Sequence, residues 1–124
     1  MKKGLAEPEC KGRLASIADA LYAIGGKWKL RIIVSLTDGN KRFNEMHRLI
    51  DGISAKVLSN ELKDLELNGF VKRNIFTGSP VVVEYGLTDY SETLQPVLQA
   101  LSEWGLKHRE KVKKSLRNMD AVKN

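Results

Sequence analysis

Residues 54–63 carry side chains that are suited to hydrogen bonding with the base edges of nucleic acids. Val57, Leu58 and Leu62 follow the spacing of an apolar helix face, so we expect them to point inward. The outward side chains are then short hydroxyls, a methyl, an amide and two ammoniums, from Ser54, Ala55, Lys56, Ser59, Asn60 and Lys63. An Asn side chain pairs with adenine through two hydrogen bonds, Ser serves either base edge, and Lys reaches guanine or phosphate. The alternative is an ordinary amphipathic helix with a solvated polar face.

The elements that position this stretch are predicted from apolar spacing and turn residues. We expect helices at 13–24, 27–36, 42–50 and 54–67, strands at 71–75 and 81–87, and a last helix from Thr88 or Asp89 to about Asn118. Pro96 falls early in that last helix and should kink it or delay its start. Two dipeptides, Gly25-Gly26 and Asn68-Gly69, mark helix ends, because Gly readily adopts the conformation found there.

The connection between the third and fourth helices is short. Asp51-Gly52-Ile53 forms a three-residue turn with a central Gly, and Ser54 then caps the fourth helix. Two helices joined in this way are typical of a helix-turn-helix, and a hairpin directly after them makes a winged one. The predicted fold class is therefore mainly α with a small β-hairpin: a winged helix-turn-helix with N- and C-terminal dimerisation helices.

Further cationic and hydroxyl side chains lie where they could contact a phosphate backbone. The hairpin contributes Lys72, Arg73, Thr77 and Ser79, and the third helix begins at Lys41 and Arg42. His47 and Arg48 follow in that helix. A solvent-exposed hairpin is the alternative, and Arg73 shares the alternation of Val71 and Ile75, so it could be half-buried.

The first and last helices have apolar stripes that predict a dimer. The stripe residues are Leu14, Ile17, Leu21, Leu94, Leu98, Leu101 and Trp104. A single winged helix of this size makes few base contacts, and two-fold pairing doubles them. The last-helix stripe could instead close the core of one chain.

Length, composition and charge limit the possible classes of protein. The chain has 124 residues, 42% hydrophobic and 29% charged, which predicts one globular domain. Its net charge is +6, but residues 107–124 alone carry seven Lys or Arg and two acidic residues. We therefore expect a flexible segment at 1–12, a DNA-binding and dimerisation domain at 13–106 and a basic tail at 107–124.

The sequence predicts a cytoplasmic protein that binds double-stranded DNA and itself, and that does not enter a membrane. No run of apolar residues approaches the ~18 needed for a membrane span, and no signal peptide follows Met1. One cysteine excludes an internal disulfide or a multi-cysteine zinc site. Without a phosphate-binding loop, paired carboxylates or a nucleophile near His47 or His108, we predict no enzyme, no cofactor and no metal.

Two other functions are compatible with these elements. A winged helix can act as a protein-interaction module, although the outward face of 54–63 lacks the large apolar anchors of a binding hot spot. A small-molecule or electrophile effector could also bind between the dimer helices and the DNA-binding domain. Tyr22, Trp28 and Trp104 are candidates to line such a pocket, or to pack in the core.

Several strings in order resemble the HxlR family of bacterial winged-helix regulators, which are MarR-like. They are Ile24-Gly25-Gly26-Lys27-Trp28-Lys29, Arg42-Phe43-Asn44-Glu45-Met46, Gly52-Ile53-Ser54-Ala55-Lys56-Val57-Leu58, Val83-Glu84-Tyr85-Gly86-Leu87-Thr88 and Leu94-Gln95-Pro96-Val97-Leu98 with Trp104-Gly105. The resemblance covers about Cys10 to Lys107. It implies a homodimeric transcription regulator whose recognition helix begins at Ser54 and whose wing lies near Thr77.

Cys10 matches in kind an N-terminal cysteine that senses electrophiles or oxidants in many members of this family. With one cysteine per chain, oxidation could give a disulfide between subunits, a mixed disulfide, or a sulfenic acid. The resemblance therefore implies a regulatory role for Cys10, and the alternative is an inert exposed thiol.

Overall fold

A computed structural model describes residues 6–123, which form five α-helices and an antiparallel hairpin. The elements are α1 (Glu7–Ile24), α2 (Lys29–Ser35), α3 (Phe43–Leu49), α4 (Ala55–Leu67), β1 (Val71–Phe76), β2 (Val82–Leu87) and, after a 3-10 turn at Asp89–Leu94, α5 (Gln95–Lys123). The predicted fold class, mainly α with a winged helix-turn-helix, is confirmed. The role of the flanking helices in dimerisation stays a prediction.

Helix α1 begins six residues earlier than the apolar spacing predicted. Pro8 lies in the first turn, where its missing N–H has no partner to lose, and Glu7 and Glu9 interact favourably with the helix dipole. Lys11 Nζ lies 3.3 Å from Glu7 Oε1, an ion pair one turn apart on the helix. Residues 7–12 are therefore helical rather than an irregular segment, and residues 1–5 lie outside the described range.

Helix α5 contains both Pro96 and the basic residues at the end of the chain. Pro96 occupies its second position, so the proline delays the start of the helix rather than bending it. The preceding turn at Asp89–Leu94 is 3-10, with the Ser91 hydroxyl donating to the Thr88 carbonyl at 2.6 Å. From residue 107 onward the chain continues α5 to Lys123, so these residues do not form a separate tail.

The hydrophobic core lies where α2, α3 and α4 meet the base of the hairpin. Its buried side chains are Ile24, Ile32, Ile33, Leu36, Met46, Ile50, Ile53, Leu58, Leu62, Leu65, Phe70, Val71 and Leu94. Only Ile24 of α1 is buried, and every residue of α5 from 99 to 121 is exposed. The winged helix thus has its own core, while α1 and most of α5 extend beyond it.

The hairpin pairs Val71 with Leu87 and Phe76 with Val82 in antiparallel register. Lys41 joins the same sheet beside β2, because its N–H donates to the Tyr85 carbonyl at 2.9 Å and its carbonyl accepts from the Tyr85 N–H at 2.8 Å. The segment that leads into α3 is thereby tied to the wing.

Candidate nucleic-acid interface

Helix α4 is oriented by its cap and by its buried apolar face. The Ser54 hydroxyl accepts a hydrogen bond from the Val57 N–H at 3.1 Å, as the predicted N-cap should. With Leu58, Leu62 and Leu65 buried, the opposite face is solvent-exposed. On the exposed part of the helix lie Ser54, Ala55, Lys56, Asn60 and Lys63, whereas Ser59 is half-buried. Five of the six predicted base-reading residues are thus accessible.

The turn before α4 is tight and closely packed. Gly52 has φ +83°, a conformation that side-chain-bearing residues rarely adopt, and Ile53 is buried in the core. A Cβ at Gly52 would stand 3.8 Å from the Trp28 ring, so this ring packs against the turn. The Trp28 ring is itself flanked by Lys27 Nζ at 4.9 Å and Arg31 Cζ at 4.6 Å from its centroid.

An ion-pair group fixes α4 against α2. Lys29 Nζ lies 2.8 Å from Glu61 Oε2 and 3.7 Å from Asp64 Oδ2, and the side chains of Lys29 and Glu61 are largely buried. These two carboxylates stand on one flank of α4, where free negative charge would repel a phosphate backbone. Lys29 partly neutralises them. Sequence reasoning missed this contact, because its partners lie 32 residues apart and no local pattern links them.

The base of the hairpin provides the cations predicted for the wing. Lys72 and Arg73 are both exposed, so the half-buried alternative for Arg73 is wrong. The reason is that β1 leaves the core after Val71. Thr77 and Ser79 are exposed in the loop between the strands.

The predicted phosphate contacts at the start of α3 differ in accessibility. Arg42 and Arg48 are exposed, and His47 lies half-buried beside the Phe43 ring. The Lys41 ammonium is paired with the Asp38 carboxylate at 2.5 Å. This hydrogen bond, together with the positive charge of Lys41, lowers the pKa of Asp38 below its ordinary value. To bind a DNA phosphate, the Lys41 ammonium would therefore have to exchange the Asp38 carboxylate for the phosphate.

The residues predicted for the dimer interface fall into two groups. Leu14, Ile17 and Leu21 on α1 and Leu101 and Trp104 on α5 are exposed. Leu94 is only 9% exposed and belongs to the core of its own chain, where Leu98 packs against it. The interface prediction for Leu94 is wrong, because the 3-10 turn directs this side chain inward before α5 begins.

Cys10 is exposed on α1. It lies four residues before Leu14 and seven before Ile17, so these three side chains share one helix face. The thiol therefore stands on the same exposed stripe as the apolar residues of α1.

An open groove of about 700 Å³ lies between α2, α3 and α5. Its lining includes Leu30, Arg31, Val34, Leu49, Ile50, Asp51, Leu98 and Leu101. None of Tyr22, Trp28 and Trp104 lines this groove, and the pocket predicted between the dimer helices and the DNA-binding domain stays a prediction. Tyr22 points into solvent, Trp28 packs against the turn, and Trp104 stacks on His108 at 4.9 Å between ring centroids.

Helices α3 and α4, their glycine turn and the hairpin together define a winged helix-turn-helix protein. The model of the HxlR-like helix-turn-helix family matches residues 23–113. An HTH-type transcriptional regulator of Halalkalibacterium halodurans is 45% identical over 107 residues, which cover 82% of this chain and 95% of that protein.

Two solved structures share the fold as well as the sequence similarity. The redox regulator HypR in its reduced form is 36% identical, with a TM-score of 0.74 over 80% of this chain and 98% of that one. The reduced form of the transcriptional regulator YodB from Bacillus subtilis is 39% identical, with a TM-score of 0.65 over 72% and 87% of the two chains.

This chain belongs to the HxlR-like helix-turn-helix family and is a transcription regulator. The resemblance drawn from its motifs is confirmed. Within residues 6–123, no helix combines the length and apolar character that crossing a bilayer requires.

Proposed function

We propose that the protein binds a pseudo-palindromic DNA site as a homodimer, with α4 of each subunit in the major groove. The observation that carries this proposal is the outward face of α4. Lys56, Asn60 and Lys63 are exposed there, whereas Glu61 and Asp64 are held by Lys29 on a neighbouring flank. A donor-rich helix face whose acidic neighbours are partly neutralised suits base edges and phosphates.

The homodimer is supported by exposed apolar side chains outside the winged-helix core. Within the described residues 6–123, nothing covers the α1 stripe of Leu14, Ile17 and Leu21, and Leu101 and Trp104 on α5 are similarly exposed. Isolated exposed residues are common, but two helices with exposed apolar stripes are typical of an association surface. Two subunits related by a two-fold axis would read half-sites about one helical turn apart.

The contacts of α4 and of the hairpin can be separated by their salt dependence. We expect Asn60→Ala to relax base preference, because a hydrogen-bonding side chain that faces the bases is lost. Lys72→Ala should weaken binding to all sequences alike and reduce the slope of log affinity against log salt by about one per half-site, or about two for the whole site. Fluorescence anisotropy on duplexes selected from random DNA by the wild-type protein, with single-base variants, measures both effects.

Lys123→Ala, at the far end of α5, is the matched control for removal of a positive charge. The assignment of these two faces fails if Asn60→Ala keeps the full base preference of the wild-type protein. It also fails if Lys72→Ala changes the base preference instead of the salt slope.

We further propose that Cys10 controls DNA binding through its thiol. Its support is the position of Cys10 on the exposed α1 stripe, next to the proposed subunit contact. The similar HypR is a redox regulator solved in reduced and oxidised forms. A disulfide between the two Cys10 thiols, or an adduct on each, would alter the packing of α1.

Diamide treatment should therefore lower operator affinity of the wild-type protein at least about fivefold, and dithiothreitol should restore it. Cys10→Ser should retain the affinity of the reduced wild-type protein under both conditions. Non-reducing electrophoresis distinguishes the inter-subunit disulfide from a mixed disulfide. Equal loss of binding in Cys10→Ser would contradict thiol control, since no other cysteine is present.

A further inference from the structure

The outer half of the wing is apolar and uncharged, unlike its base. Between Asn74 and Val83 the chain has no ionisable side chain, whereas Lys72 and Arg73 stand at the base. Ile75, Phe76 and Val81 are 55%, 51% and 59% exposed. Strong exposure of three large apolar side chains at one hairpin tip is a feature that the fold itself does not require.

These side chains do not belong to the hydrophobic core. The part of the hairpin that packs on the core is the inner one, with Val71, Tyr85 and Leu87. In the outer part, Ile75 pairs with Val83 and Phe76 with Val82. Because paired residues share a face and successive pairs alternate, both faces of the tip are apolar.

The chemistry of the tip suits the minor groove better than a phosphate ridge. The strongest phosphate contacts come from cations, and the side chains of residues 75–82 supply only the hydroxyls of Thr77 and Ser79 as hydrogen-bond donors. Apolar side chains that meet DNA typically act in the minor groove, where they press against sugars or wedge between base steps and bend the duplex. The tip is also continuous with the proposed DNA surface, because β1 packs against α4.

We propose that Phe76, supported by Ile75 and Val81, acts as an apolar wedge in the DNA minor groove beside each half-site. This inference rests on the proposed function. It adds that the protein reads the outer positions of its site through the deformability of the DNA. Easily unstacked pyrimidine–purine steps under the wing would then be favoured without any hydrogen bond to a base.

Phe76→Ala is the test, on duplexes selected from random DNA by the wild-type protein. We expect affinity to fall about tenfold, as for the loss of one buried aromatic contact. The salt slope should stay unchanged, because no phosphate contact is removed. Energy transfer between dyes at the two duplex ends should report a smaller bend, and the preference for pyrimidine–purine steps under the wing should disappear.

Two further variants keep the result interpretable. Phe76→Leu retains apolar bulk and should bind and bend DNA nearly as the wild-type protein does. Leu106→Ala removes a similarly exposed apolar side chain from α5 and should change neither property. Thermal unfolding of each variant verifies that the fold is intact.

The wedge is excluded if Phe76→Ala matches the wild-type protein in affinity, bend and step preference. It is likewise excluded if the salt slope falls as for Lys72→Ala, or if only self-association in sedimentation changes, which would make the tip a protein contact. In all three cases the wild-type protein still selects its site, so the proposed function stands. Failure of the wild-type protein to enrich any sequence would instead contradict the proposed function itself.

Discussion

Replacing Ile17 with aspartate is expected to convert the proposed homodimer into monomers and to weaken operator binding more than about 100-fold. The carboxylate would be buried without a partner between two α1 helices, which costs several kcal/mol, and each monomer would hold only one half-site. Ile17 is exposed within its own chain, so the winged-helix core should be unaffected. Sedimentation velocity gives the oligomeric state, fluorescence anisotropy the affinity, and circular dichroism the helix content.

Ala15→Asp is the matched control, because it adds the same charge to the opposite face of α1, also exposed. It should remain dimeric and bind the operator normally. If Ile17→Asp is also dimeric at micromolar concentration, the α1 stripe is not the subunit contact, and the α5 surface around Leu101 and Trp104 becomes the candidate.

Truncation of Leu58 to alanine should be the most damaging change to stability. Leu58 is fully buried near the start of α4, and removing its three outer carbons leaves a cavity in the core. Such substitutions lower the free energy of unfolding by about 2–5 kcal/mol. A domain of this size has about 5–15 kcal/mol in total, so the loss is a large share.

Leu67→Ala provides the comparison on the same helix. Leu67 is 85% exposed, and the same substitution there should change the free energy of unfolding by less than about 0.5 kcal/mol. Urea unfolding followed by circular dichroism measures both variants. If both substitutions lowered the free energy of unfolding equally, burial of the α4 side chains in the protein core would not determine the stability of the protein.

Local patterns were sufficient to predict the elements and the orientation of α4. The Ser54 cap, the Gly52 turn and the end of α4 at Asn68-Gly69 depend on residues within a few positions of each other, and all are found in the structure. The start of α1 was missed because apolar spacing begins only at Leu14. The residues that mark the start of α1 are Pro8 and the two glutamates beside it, and this signal does not depend on apolar residues.

Contacts that depend on tertiary geometry could not be predicted. The Lys29–Glu61 pair joins two helices that only the packed core brings together. Strict alternation places Ile75 and Val71 on one face, but the sheet extends beyond the core after Val71 and leaves Ile75 in solvent. Leu94 shows the opposite case, because a stripe residue expected between subunits is needed to close the core of its own chain.

The unbroken course of α5 has a mechanical consequence. Its 29 residues form a rod roughly 43 Å long, anchored near Leu94 in the core of the DNA-binding unit. A tilt of about 5° at the far end of such a rod moves its anchored unit by roughly 4 Å relative to a partner. In the proposed homodimer, the spacing between the two α4 helices would therefore depend on the angle between the two α5 helices, far from the DNA. A small rearrangement of α1 and α5 would then be enough to prevent the two α4 helices from entering successive major grooves of the DNA.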